Sequence, residues 1–84
     1  MSERNRFVIR NESSKPLLLN VEPEGFFFPL GYREEVSVYD LFSKEPVTLK
    51  INLSDEGNAI ISVWPGDGEV KVEKDGIDVL DSAQ

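Results

Sequence analysis

Val47-Thr48-Leu49-Lys50-Ile51-Asn52-Leu53, followed by Ala59-Ile60-Ile61-Ser62-Val63-Trp64, is the stretch that decides the fold. In the first run, Val47, Leu49, Ile51 and Leu53 alternate with Thr48, Lys50 and Asn52. Successive side chains of a strand point to opposite faces, so this run is predicted to be a strand with one apolar and one wet face. The second run is apolar on both faces except at Ser62. Trp64 and Ile60 fall on the face opposite Ile61 and Val63. They form an exposed patch if a single layer lies there, and are core if two layers cover the strand. Between the runs, Ser54-Asp55-Glu56-Gly57-Asn58 is turn-forming, so the two strands are predicted to close as a hairpin.

The same punctuation runs through the rest of the chain. Pro16, Pro23, Pro29, Pro46 and Pro65 sit at the edges of apolar runs. Proline cannot donate to a sheet ladder, so it marks strand ends and edges. Further strands are read at Phe7-Val8-Ile9, Leu17 to Val21, Phe26 to Phe28, Val36 to Tyr39, Val70-Lys71-Val72 and Ile77-Asp78-Val79. Val36, Tyr39 and Phe42 also fit a helical spacing, but β-branched Val36 and Val38 around Ser37 favour a strand. A helical turn is expected at Asp40 to Lys44. Gly66-Asp67-Gly68 is read as the next hairpin turn, and Asp75-Gly76 as a two-residue turn whose positions both tolerate positive φ. Together these turns predict an antiparallel meander through the C-terminal half.

The fold class expected is all-β: a single domain over residues 1–84, built as a small antiparallel β-sandwich or partly open barrel of about seven short strands. Residues 1–5 and 81–84 are expected to fray. The predicted core is Val8, Leu17, Leu19, Val21, Val36, Val38, Val47, Leu49, Ile51, Ile61, Val63, Val70, Val72 and Val79.

Composition narrows the chemistry. The chain has 84 residues, of which 39% are hydrophobic, and a net charge of −7. It contains no cysteine and no histidine. Disulfides, thiolate metal sites and thiol catalysis are excluded, along with the commonest general base and transition-metal ligand. The acidic balance predicts repulsion from nucleic acid and from anionic membranes, and neither is expected as a partner. The basic start, with Arg4, Arg6, Arg10 and Lys15 against Glu3 and Glu12, is too short and mixed for a nucleic-acid arm. No apolar run approaches the length of a membrane helix, and no signal peptide is evident, so a cytoplasmic location is expected.

Candidate sites follow from the remaining residue types. Phe26-Phe27-Phe28-Pro29 places three rings in succession, so at least one must point away from the others. Phe27, Tyr32 and Trp64 are the candidate binding residues, because flat rings bury much area at low entropic cost. The competing reading for each is core or rim packing. Asp55, Glu56 and Asn58, then Asp67 and Glu69, are oxygen-rich, but no stretch matches the twelve-residue calcium loop. No metal and no cofactor is expected. Glu22 with Glu24, and Glu34 with Glu35, are the carboxylate pairs open to glycoside hydrolysis, and their context suggests solvated surface instead. Gly66-x-Gly68 lacks the following helix of a phosphate loop. Asn11-Glu12-Ser13 and Asn52-Leu53-Ser54 match the glycosylation acceptor by chance.

Asn11-Glu12-Ser13-Ser14-Lys15-Pro16-Leu17-Leu18-Leu19 leads to Val21-Glu22-Pro23-Glu24-Gly25 and on to Leu30-Gly31-Tyr32-Arg33-Glu34-Glu35-Val36. This pattern resembles a small group of uncharacterised bacterial all-β proteins. In that group an Asn-rich turn and a Val-Glu-Pro stretch precede a Pro-Gly-like turn and further strands. Val63-Trp64 and Asp75-Gly76-Ile77 fit the same pattern, and Gly31-Tyr32 stands where the group has Pro-Gly. The resemblance covers most of the chain. It implies a sandwich-like fold and transfers no activity or site residue. The leading functional expectation is a non-enzymatic binding or assembly module, forming a homodimer or taking a protein partner through an aromatic sheet face or an open strand edge. Carbohydrate binding by Phe27, Tyr32 or Trp64 is the alternative, and a carboxylate-based hydrolase the third.

Overall fold

The computed structural model describes residues 3–82. In chain order these form β1 Glu3–Arg10, β2 Leu17–Val21, β3 Phe26–Leu30, β4 Glu35–Phe42, β5 Thr48–Leu53, β6 Ala59–Trp64, β7 Glu69–Lys74, β8 Ile77–Asp78 and the one-turn helix α1 Val79–Ser82. The strands make two four-stranded sheets. The first is ordered β1-β4-β7-β8 and the second β3-β2-β6-β5. Their inner faces pack together as a small β-sandwich, the all-β class that the alternating pattern predicts. The strand kept over a helix at Val36 is correct and longer than expected. Asp40 to Phe42 continue it, so the helical turn predicted at Asp40 to Lys44 is absent.

Every strand pair is antiparallel except β2 with β6, which run parallel with Asn20 opposite Ser62. The β5–β6 hairpin is as predicted, with Leu49 opposite Val63 and Ile51 opposite Ile61. The β7–β8 turn is also as predicted. Asp75 and Gly76 adopt φ values of 53° and 80°, the left-handed pair that this turn demands. The meander fails between them. β6 belongs to the second sheet and β7 to the first, so Gly66-Asp67-Gly68 is a crossover and not a hairpin turn.

Both glycines of that crossover are there for closeness. A Cβ on Gly66 would overlap the Glu45 carbonyl oxygen, and one on Gly68 would overlap that of Leu41. Between them Asp67 accepts backbone N–H groups from Ser43, Lys44 and Glu45, at 2.8, 2.8 and 3.2 Å. These donors hold its carboxyl below the usual carboxylate range. The β6–β7 crossover is thus laced to the β4–β5 crossover, where the chain changes sheets in the opposite sense.

The core draws on both sheets. Leu19, Leu30, Val38, Val63 and Val72 are wholly buried, with Val21 and Val36 nearly so. Each such side chain contributes about 1.5–3 kcal/mol relative to exposure. The predicted core is corrected at three positions. Val8 is 45% exposed, because β1 turns Ile9 inward and Val8 outward. Leu49 and Ile51 lie on the inner side of β5 but are 41% and 65% exposed, because the first sheet does not extend over that strand. Ile9 and Leu30 are core residues outside the predicted set. The expected fraying is corrected in part, since Glu3 to Asn5 pair with Phe42 to Asp40 and Asp81 and Ser82 belong to α1. Met1, Ser2, Ala83 and Gln84 lie outside the described residues. No helix among the described residues is long and apolar enough to cross a membrane.

Candidate functional site

The outer face of the second sheet carries two of the three aromatic candidates. Its strand registers set Phe27 opposite Asn20, Asn20 opposite Ser62, and Ser62 opposite Lys50. Trp64 stands two residues along β6 from Ser62, on the same face and opposite Thr48. Phe27 is 52% exposed and Trp64 36%. Neither alternative left open for Trp64 holds in full: the fold has two layers, yet Trp64 is exposed and Ile60 half-buried, because the second layer covers only the inner face. The Lys50 ammonium lies 5.0 Å from the Trp64 ring centroid and occupies one face of the ring. Between the two aromatics, Asn20 is buried. Its amide donates to Ser62 Oγ at 3.5 Å, and its Oδ1 has no partner among the described residues.

Tyr32 is not part of this face. It falls in the β3–β4 turn, 55% exposed, with the Arg33 guanidinium 5.1 Å from its ring centroid. Arg33 takes a positive φ of 65° there, and its N–H donates to the Asn11 carbonyl. Asn11 itself is buried. Its amide donates to the Lys15 and Leu30 carbonyls, and its Oδ1 accepts the Ser13 N–H. The Asn-rich turn is an internal brace, and its acceptor-like tripeptide presents no free amide.

Of the carboxylates considered for hydrolysis, Glu34 and Glu35 are engaged separately. Glu34 accepts from the Lys74 ammonium and from the Gly31 N–H. Lys74 holds the Glu34 carboxyl below its ordinary range, and Glu34 in turn raises the Lys74 pKa. Glu35 pairs with Arg10 on the outer face of the first sheet. Among the described residues, no three carboxylates are placed to share a metal ion.

The surface that sequence reasoning missed is the edge strand β5. Leu49, Ile51 and Leu53 point to its inner side at 41%, 65% and 75% exposure. Leu53 also borders an open groove of about 530 Å³ with Leu17, Ala59 and Ile60. The alternation that identified β5 gives the side on which its aliphatic chains lie, but not whether a second layer reaches them. Other long edges of the two sheets are guarded. β3 carries Pro29, and β1 carries Arg4, Arg6 and Arg10 on its outer face. β5 has only Lys50, on its outer side. No protein-family model, curated protein or solved structure matches this chain.

Proposed function

We propose that this domain is a non-enzymatic binding module that takes a strand from another polypeptide along β5. The carrying observation is the exposure of Leu49, Ile51 and Leu53 on an edge strand whose outer neighbour position is empty. An edge strand presents unpaired N–H and C=O groups, and main-chain pairing there supplies affinity while alternate side chains supply selectivity. The ligand chemistry follows from the strand: an extended segment with aliphatic residues at alternate positions. A cytoplasmic location is part of this reading, and cell fractionation tests it.

The direct test is an NMR titration with an alternating aliphatic peptide, such as the chain's own residues 47–54. Amide shifts concentrated at Thr48 to Leu53 are expected. Shifts absent from β5, combined with no association of the protein with itself there, would remove the reading.

A second reading rests on Phe27 and Trp64 sharing the outer face of the second sheet: carbohydrate stacking on those rings. A sugar would have to displace Lys50 from Trp64. Tryptophan emission unmoved across a panel of glycans would end that reading.

A further inference from the structure

We infer that the strand taken by β5 is β5 of a second copy, paired antiparallel about a two-fold axis through Ile51. The inference rests on the edge-binding reading above and names its partner. It comes from counting the registers that β5 offers to itself.

Antiparallel partners that stand opposite one another share a face, and a one-residue slip moves every side chain to the other side. Registers that oppose Leu49 to a polar position such as Asn52 are therefore disfavoured. Three in-phase registers bring the strand centres together. Centring on Lys50 sets that ammonium against its own copy, a like-charge pair that destabilises a sheet. Centring on Asn52 sets Leu49 opposite Asp55. Centring on Ile51 opposes Ile51 to Ile51, Leu49 to Leu53, and Lys50 to neutral Asn52. Only this last register sets Leu49, Ile51 and Leu53 wholly against one another and keeps Lys50 from standing directly opposite its own copy.

The fold accommodates this pairing. In the resulting sheet the inner faces of both β5 strands lie on the same side, where the first sheet of each copy stops short. Leu49, Ile51 and Leu53 of the two copies then close over one another, and Leu49 of the second copy sits beside the groove bordered by Leu53. The two sheets merge into one of eight strands, so the exposed edge disappears.

The absence of cysteine from the chain makes the register directly testable. Residues opposite one another across antiparallel strands lie within disulfide reach, about 4.5–5.5 Å between Cα atoms. Under mild oxidation Ile51→Cys is expected to form a covalent dimer. Thr48→Cys, which this register places opposite Ser54, is expected not to. Sedimentation velocity over a concentration series is expected to show a reversible dimer, weakened roughly tenfold or more by Ile51→Lys. Circular dichroism confirms that the variant keeps its fold. A wild-type monomer at all concentrations overturns the dimer, and the edge-binding reading survives that result only if the strand peptide still shifts β5. Cross-linking by Thr48→Cys instead of Ile51→Cys overturns the register. A dimer indifferent to Ile51→Lys overturns the pairing of β5 with its own copy, and the edge-binding reading then stands or falls on whether the strand peptide shifts β5.

Discussion

The Asp40 carboxylate accepts the backbone N–H of Val47 at 2.8 Å, at the point where the chain leaves the first sheet for the second. Asp40 is 1% exposed, and its other oxygen has no partner among the described residues. A buried N–H left without an acceptor costs about 1–3 kcal/mol. Asp40→Ala is therefore expected to lower unfolding stability by about that amount, read as a lower urea midpoint. Asp40→Asn keeps an oxygen for Val47 and is expected to cost less. Equal stability of the alanine variant and the wild type would show that this bond does not hold the crossover.

Asp67 supplies the matching tie from the other crossover, and its dependence on pH has a definite sign. Its carboxyl is held below the unfolded value by the Ser43 and Lys44 N–H groups. A depressed carboxyl stabilises the fold above the unfolded pKa, near 3.9, and loses that effect as pH falls through the lower folded pKa. The difference in Tm between wild type and Asp67→Asn is expected to be largest near neutrality and to vanish in acid. A difference that grows on acidification would refute the assignment.

Gly68 and Gly76 separate two reasons for glycine. Gly68→Ala forces a methyl into the Leu41 carbonyl and is expected to cost at least the 1–3 kcal/mol typical of overpacking. Gly76 meets nothing within 4 Å, so Gly76→Ala carries only the penalty of a left-handed φ, about 1 kcal/mol. Thermal denaturation of the two variants orders them; the reverse order would contradict the packing of the crossover.

Adjacent residues of β1 give the sharpest test of its facing. Ile9 is 8% exposed and Val8 45%. Ile9→Ala is expected to cost about 2–5 kcal/mol, and Val8→Ala about 0.5 kcal/mol. Similar costs at both positions, measured by chemical denaturation, would mean that the facing is wrong.

These cases also show what was legible in the residues alone. Strand existence was readable wherever alternation was long, as in β5, or a turn had strict demands, as at Asp75-Gly76. The phase of β1 was not, because Phe7-Val8-Ile9 is apolar at all three positions, and only the pairing of Ile9 with Val36 fixes it. Leu30 is missed by any reading that ends the strand at Pro29. A proline can stand inside an edge strand, and β3 is one. The exchange of sheets at Gly66 to Gly68 had no local signal. Its cause is a close approach to Glu45 and Leu41, more than twenty residues back along the chain. Of the candidate site, counting residues sets Trp64 on the face opposite Ile61 and Val63 of its own strand, but its sharing a face with Phe27 depends on the parallel β2–β6 register. The bare edge at β5 depends on how far the other sheet reaches, and periodicity carries no trace of that.

The lone parallel pairing in the second sheet has a kinetic consequence. The β2–β3 and β5–β6 hairpins each join neighbours along the chain, whereas β2 meets β6 with Asn20 and Ser62 separated by 42 residues. Neither hairpin is stable by itself, and the entropy lost in closing the long loop must be met before their contact repays it. Weakening the Leu19–Ile61 row should therefore slow refolding more than an equal loss inside either hairpin.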